Sequence, residues 1–148
     1  MATWGDFAHA APNLAAFGVG RFNSGPASLA TVRADGSPRV HPVSPIISPT
    51  ELFLFMDQTS PKGHDLRRDP RYAIHCFVAD NNGGEGEFFI SGTATLVQDS
   101  ALRAIATEAG YKPKDTYILF RLSLNAVGAI TYPEGGKPLR ETWKVLTE

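Results

Sequence analysis

Residues 27–47, ASLATVRADGSPRVHPVSPII, contain the local signal from which the fold can be worked out. A strand-like stretch leads into Asp35–Gly36, a dipeptide that favours the positive φ angles of a hairpin turn. Arg39–Ile47 is then predicted to return as the second strand. Because Pro42 and Pro45 remove hydrogen bonds from its ladder, we expect that strand at a sheet edge or with a bulge.

Other elements are predicted on both sides of this hairpin. Trp4–Ala10 predicts a short helix, Pro12 can open a second one, and Ser60 with Pro61 suits a third helix start. Leu52–Met56 is a continuous apolar run, typical of a strand buried on both faces. Further strands are predicted at Arg71–Val78, Glu87–Val97, Tyr117–Leu124, Val127–Tyr132 and Arg140–Leu146, with a helix from Asp99 or Ser100 to about Ala109. About six to eight strands with three or four short helices favour a mainly β (α+β), closed or nearly closed antiparallel barrel.

The composition limits the class of protein. A chain of 148 residues predicts one domain, residues 1–148. The 14 Lys and Arg against 15 Asp and Glu argue against a protein whose whole surface binds nucleic acid, although they do not exclude a local phosphate pocket. One cysteine permits no internal disulfide, and no apolar run approaches the roughly 20 residues of a membrane span. No signal peptide is evident, so we expect a cytoplasmic protein without membrane partners.

Two stretches could bind a ligand. Thr59-Ser60-Pro61-Lys62 offers two hydroxyls and an ammonium at a helix N-terminus, where free N–H groups favour an anion. The same residues also suit a capped surface helix with a solvated lysine. In Arg39-Val40-His41, the first and third side chains share a strand face, which either lines a groove or meets water.

Other kinds of chemistry find little support. The four histidines have no common short spacing, so no metal site is predicted. Cys76 lies in an apolar strand and is expected to be a buried thiol. The chain contains no nucleophile elbow, dinucleotide fingerprint or Walker loop, and no catalytic residue is assigned.

The order of the segments along the chain resembles that of a known protein family. The hairpin Ser28–Val43 and the strand Leu52–Met56 come first, followed by TSPKGHDLRRDPR at residues 59–71 and FISGTA at residues 89–94. This order resembles the pyridoxamine 5′-phosphate oxidase-like family of flavin and deazaflavin split-barrel proteins. The likeness covers about residues 12–148.

The resemblance implies a six-stranded antiparallel split β-barrel with short flanking helices, which forms a homodimer and binds FMN or a deazaflavin coenzyme at the dimer interface. It also implies roles for particular residues. Arg39, Val40, His41 and Pro42 would line the cofactor ring, Met56, Thr59 and Ser60 would flank the ribityl chain and phosphate, Lys62 would pair with the phosphate, and Trp143 would approach the ring from the other subunit.

The implied function is a flavin- or deazaflavin-dependent oxidoreductase that passes a hydride to an unidentified small organic substrate. Oxidation of vitamin B6 is not expected, because Arg140–Glu148 lacks the family's Arg-Leu-x-Pro segment and Pro61-Lys62 replaces an arginine-lysine doublet. Two alternatives remain open. One is a flavin carrier or sensor without turnover, and the other is a haem-binding protein, which would need His9, His41, His64 or His75 as axial ligand.

Overall fold

The described part of the chain, residues 1–146 of a computed structural model, contains four α-helices and eight β-strands. The helices are α1 (Trp4–Ala10), α2 (Pro12–Phe22), α3 (Pro61–Arg68) and α4 (Ser100–Ala109). The strands are β1 (Ala27–Val32), β2 (Pro38–Val43), β3 (Ile46–Ile47), β4 (Leu52–Asp57), β5 (Arg71–His75), β6 (Glu87–Val97), β7 (Tyr117–Thr131) and β8 (Leu139–Lys144).

Local capping explains where the helices begin. Thr3 and Asp6 form a reciprocal capping box at α1, each side chain accepting from the other residue's backbone N–H at 3.0 Å. Pro12 occupies the first turn of α2, and the Asp99 carboxylate accepts from the Ala101 N–H at α4. Gly36 has a φ of +86°, as the hairpin turn requires. The helix starts and the hairpin turn predicted from sequence are confirmed. The returning strand, predicted as Arg39–Ile47, is wrong in its extent: it ends at Val43, and Ile46–Ile47 pair with the strand Leu52–Asp57 instead.

The strands form one antiparallel sheet that curls into a split barrel. Their order is β2-β1-β5-β6-β7-β4-β3, and β8 pairs with β7. The split-barrel α+β class is confirmed, but the expectation of six strands is wrong for residues 1–146. The additional strands are the two-residue β3 and β8, and β2 and β3 end the path, so the sheet curls without closing into a complete barrel.

One long strand replaces two predicted ones. Tyr117–Leu124 and Val127–Tyr132 were expected separately, but β7 runs unbroken through 15 residues. Its first part pairs with β4 and its last part with β8, while β6 pairs along both parts with a register shift at Ser91/Gly92. The shared neighbour β6 keeps the strand continuous where the other partner changes.

Two apolar clusters lie on opposite sides of β4. Leu52, Leu54 and Met56 belong to the larger cluster, against which α1 and α2 pack with Trp4, Phe7, Leu14 and Phe22. Phe53 and Phe55 belong to the smaller cluster, which Ala106 of α4 covers. The prediction that this strand is buried on both faces is confirmed.

The edge position of β2 is also confirmed. It pairs on one side with β1, in a register that sets Pro42 opposite Ser28, and it ends the sheet. An edge tolerates Pro42 because the missing N–H need not serve a second neighbour. None of the helices in residues 1–146 is long and apolar enough to cross a membrane.

Candidate functional site

The N-terminus of α3 lies directly after the buried strand β4. Ser60 has the extended conformation of an N-cap, and its Oγ accepts from the Gly63 N–H at 3.3 Å. Pro61 follows in the first helical turn. The Ser60 hydroxyl therefore acts as an acceptor within the chain while its own proton is still available to donate.

Lys62 is the cation at this helix N-terminus. Its side chain is half-buried, and within residues 1–146 it forms no salt bridge with a carboxylate. Burial lowers the pKa of the Lys62 ammonium, and the charge of Asp57 acts in the opposite direction. A half-buried ammonium in this position favours an anionic ligand, because an anion would offset its lost hydration.

The other residues predicted around the phosphate are placed differently. The Thr59 backbone N–H and hydroxyl both donate to Asp57 Oδ1, at 2.8 and 2.7 Å, and these bonds lower the pKa of Asp57. The Met56 side chain is buried in the larger apolar cluster. In this conformation Thr59 and Met56 therefore contact the protein itself, whereas Ser60 and Lys62 lie at the helix start.

Arg39 links the edge strand to α3. Its Nε donates to Asp65 Oδ2 at 2.7 Å, and no other polar group of residues 1–146 is bonded to the guanidinium. Asp65 is buried and also accepts from Thr31 Oγ1 at 2.7 Å and from Arg68 at 3.2 Å. Burial raises the pKa of Asp65, but hydrogen bonds from Arg39, Thr31 and Arg68 outweigh burial and lower it.

Sequence reasoning missed Asp65. Arg39 and Asp65 are 26 positions apart, so no local spacing connects them. The only signal was an acidic residue one turn inside a short helix that is otherwise rich in basic residues, which by itself indicates a surface ion pair.

The residues predicted to line the cofactor ring lie on two sides of β2. Arg39 extends toward α3, whereas Val40 lies on the opposite side of the sheet and is 68% exposed. His41 is exposed, with its Nδ1 2.8 Å from the Pro42 carbonyl oxygen. Their side chains could meet one ligand only at the open edge of the strand.

Trp143 packs within its own chain. It lies on β8 opposite Val127, and its ring centroid is 5.1 Å from that of Phe7. The side chain is half-buried against the larger apolar cluster. The structure thus brings Trp143 to the barrel interior rather than to Arg39 or Lys62.

A second surface lies on the side of the sheet opposite the larger apolar cluster, at strands that α4 does not cover. We call it the outer face; it contains a cavity of about 500 Å³, whose lining includes Ser28, Ala30, Val40, Ala73, His75 and Phe89. The lining is mostly apolar, and Ser28, Ala30 and Ala73 are small, so another surface can approach the backbone closely at these positions.

His75 is the titratable group of the outer face. Its Nδ1 lies 2.8 Å from the Cys76 carbonyl oxygen and its Nε2 lies 2.8 Å from Glu87 Oε1, so both ring nitrogens face acceptors. Bonding to Cys76, through its side chain and its carbonyl, raises the pKa of His75 to about 9; Glu87 adds to this and partial burial opposes it. Tyr132 donates to the other oxygen of Glu87.

These features define a class: a split β-barrel in which a lysine at a helix N-terminus has no carboxylate partner among the described residues. Residues 21–125 match the family model of pyridoxamine 5′-phosphate oxidase, which is more than half of the chain. The chain belongs to that family. A comparison with curated protein sequences found no match.

Solved structures resemble this fold at low sequence identity. A heme-binding protein from Mycobacterium smegmatis has a TM-score of 0.66 at 19% identity, over 84% of this chain and 55% of that one. HutZ, the heme storage protein from Vibrio cholerae, has a TM-score of 0.61 at 18% identity, over 78% and 89%. An F(420) reductase has a TM-score of 0.54 at 19% identity, over 69% and 87%. The chain thus spans about half the length of the mycobacterial protein, and these likenesses concern the fold.

Proposed function

We propose that this protein binds a flavin-type cofactor, FMN or a deazaflavin coenzyme, and acts as an oxidoreductase on a small organic substrate. The observation that carries the proposal is Lys62, a half-buried ammonium at the start of α3 without a carboxylate partner in residues 1–146. A phosphate is a ligand that fits this position, because the helix N-terminus and the ammonium both favour negative charge.

The remaining residues suit such a cofactor. Ser60 can donate its hydroxyl proton to a phosphate oxygen, and Arg39, whose Nε is held by Asp65, has terminal nitrogens without a partner in residues 1–146 that can donate to the cofactor. Among the described strands none pairs with the open side of β2, so backbone N–H groups on that side can donate to a ring system laid along it. The bound cofactor would supply the hydride chemistry, while the chain binds and orients it.

A homodimer is part of the proposal. The outer face is apolar and exposes Val40, and we propose that a second copy of this chain covers it. The single cysteine of the sequence fits the reducing cytoplasm that we propose as its location.

Haem is the second candidate, because two of the similar structures are described as heme-binding or heme storage proteins. The geometry favours it less. His75, the histidine of the outer face, has both nitrogens engaged, and His9 and His64 are exposed on helices. His41, with Nε2 unengaged in residues 1–146, would be the remaining axial ligand.

The test is an absorbance titration of the purified protein with FMN, the deazaflavin coenzyme and hemin. Saturable perturbation of a flavin or deazaflavin spectrum, followed by turnover with an organic acceptor, supports the proposal. Binding without turnover would indicate a carrier or sensor. A Soret band that is lost in His41→Ala would favour haem, and binding of none of the three would contradict the proposal.

A further inference from the structure

A buried carboxylate sets the direction of the Arg39 guanidinium on the edge strand β2. We propose that Asp65 is a positioning residue for cofactor binding: it holds Arg39 by Nε alone and thereby presents the two terminal nitrogens of the guanidinium to the cofactor. Asp65 has this role only if the protein binds a cofactor, so the inference rests on the proposed function. It adds a residue that does not touch the ligand but determines how well Arg39 does.

Asp65 is a rigid point of attachment. The residue is 2% exposed, and its carboxylate accepts from Thr31 Oγ1 of β1 at 2.7 Å, from Arg39 Nε of β2 at 2.7 Å and from Arg68 of its own helix at 3.2 Å. Arg68 also donates to the Val32 carbonyl oxygen, which ties this donor to the end of β1. A rotation of the carboxylate would break these bonds, so Arg39 has a fixed acceptor.

The contact with Asp65 uses only part of the guanidinium. Arginine has five N–H donors in a planar fork, of which Nε carries one. The other four lie on the terminal nitrogens and have no acceptor among residues 1–146. Because the group is planar, fixing Nε also limits the directions in which the terminal nitrogens can donate. The Arg39 side chain is 27% exposed, so a ligand can reach these nitrogens.

The charges around Asp65 leave the cluster positive. Burial opposes ionisation of the carboxyl group, but hydrogen bonds from Arg39, Thr31 and Arg68 prevail and lower its pKa. The ionised carboxylate therefore offsets one of the two guanidinium charges that face it. An anionic oxygen of a ligand is still attracted to Arg39. The side chain is also already ordered, so it loses less conformational freedom when the ligand binds.

Asp65 also fixes Arg39 relative to Lys62. The two α3 residues are three positions apart, which makes them neighbours on the helix surface. Within residues 1–146 no salt bridge joins them, so Lys62 does not compete for the carboxylate. Arg39 therefore contacts α3 within one helical turn of Lys62. A cofactor whose phosphate is bound by Lys62 would start close to the guanidinium.

The test is a double-mutant cycle on FMN affinity, measured in the full-length protein by the quenching of flavin fluorescence. We expect Asp65→Ala and Arg39→Gln each to weaken FMN binding at least about fivefold. The double variant should bind FMN within about twofold of Arg39→Gln, because Asp65 acts through Arg39. A purely structural Asp65 would weaken binding by the same factor with and without Arg39.

Thr31→Val is the matched control, because it removes another buried donor to Asp65 and leaves the bond to Arg39. Its FMN affinity should stay within about twofold of the native value. Asp65→Asn keeps an oxygen that can accept from Nε, and it should bind FMN more tightly than Asp65→Ala. Arg39→Lys leaves Asp65 in place and keeps the test valid if Asp65→Ala does not fold. A single ammonium cannot both pair with Asp65 and reach the cofactor, so we expect the same loss as in Arg39→Gln.

Three results would overturn the role of Asp65: additive effects in the cycle, a loss in Thr31→Val as large as in Asp65→Ala, or native FMN affinity in Arg39→Lys. The cycle uses the deazaflavin coenzyme if the native chain binds only that ligand. Failure of the native chain to bind either ligand would contradict the proposed function and the inference with it. Binding by the native chain with an additive cycle would overturn the inference alone.

Discussion

Arg39 Nε lies 2.7 Å from Asp65 Oδ2, so a single buried carboxylate ties the edge strand β2 to helix α3. The two elements that we propose as the sides of a cofactor groove are therefore held in a fixed relation before any ligand binds. Thr31 and Arg68 also donate to Asp65, so both oxygens of the buried carboxylate accept hydrogen bonds.

Replacing Asp65 tests this connection. Asp65→Ala leaves Arg39 and Thr31 without their acceptor, and we expect the free energy of unfolding to fall by about 2–3 kcal/mol. Asp65→Asn keeps one acceptor oxygen, and its free energy of unfolding should fall by roughly half as much. Urea denaturation measures both. A loss below about 0.5 kcal/mol in Asp65→Ala, the size of an ordinary surface substitution, would show that the connection does not stabilise the fold.

The stabilisation by Asp65 also has a pH dependence with a defined sign. Because the net effect of its surroundings is to lower its pKa, the contribution of Asp65 is fully present above the pKa of an unfolded aspartate, about 3.9. It is lost as the pH falls through the lower pKa of the folded state. Asp65→Asn should therefore show a smaller loss of stability than the native chain in this acid range.

Two glycines of α2 are predicted to respond to alanine with opposite signs. A Cβ on Gly18 would lie 2.3 Å from the ring of the fully buried Phe88, whereas nothing lies within 4 Å of a Cβ on Gly20. Gly20→Ala should raise the free energy of unfolding by about 0.5–1 kcal/mol, and Gly18→Ala should lower it by about 1–2 kcal/mol. Thermal or urea unfolding of the two variants measures this, and changes of equal sign would contradict the packing described for α2.

His75 should carry a proton well above neutral pH. Cys76 and Glu87 raise its pKa to about 9, whereas an unfolded histidine titrates near 6.5. The stability it contributes is thus fully present below pH ~6.5 and is lost as the pH rises toward the folded pKa. NMR titration of the imidazole resonances measures the pKa directly, with Glu87→Gln as the variant expected to lower it. A pKa of His75 near 6.5 would contradict the hydrogen bonding described.

The outer face should control association if a second copy covers it. Val40 is 68% exposed on that face, and Val40→Arg would bury a charge in an apolar contact between copies. We expect sedimentation to show a dimer for the native chain and mainly monomer for Val40→Arg. Ile105→Arg, at a 40% exposed position on α4, is the matched control and should remain dimeric. A dimer that survives Val40→Arg would place the interface elsewhere.

Local signals allowed much of the fold to be predicted from sequence. The bounds of α1 and α4, the Gly36 turn and the edge position of β2 follow from caps, glycines and prolines that act on their immediate neighbours. The continuity of β7 did not follow, because it depends on β6 pairing across the point where β4 gives way to β8.

The candidate site was less predictable, because most of its contacts also join residues that are far apart in the sequence. The helix start with Ser60 and Lys62 is local and appears where the sequence indicated it. The bonds of Thr59 to Asp57 were not foreseen, because a hydroxyl in a turn can face either a ligand or its own chain. The packing of Trp143 on Phe7 joins residues from opposite ends of the chain, which no sequence spacing reveals.

Lys62 is the residue that we propose to bind the phosphate of a flavin-type cofactor. The most direct measurement compares the affinities of the native chain and Lys62→Ala for FMN and for riboflavin, which lacks the phosphate. We predict that FMN binding weakens at least tenfold, about 1.4 kcal/mol, while riboflavin binding changes less than about twofold. Lys112→Ala, at an exposed lysine, should alter neither affinity. Equal weakening of both ligands, or unchanged FMN binding in Lys62→Ala, would contradict the claim.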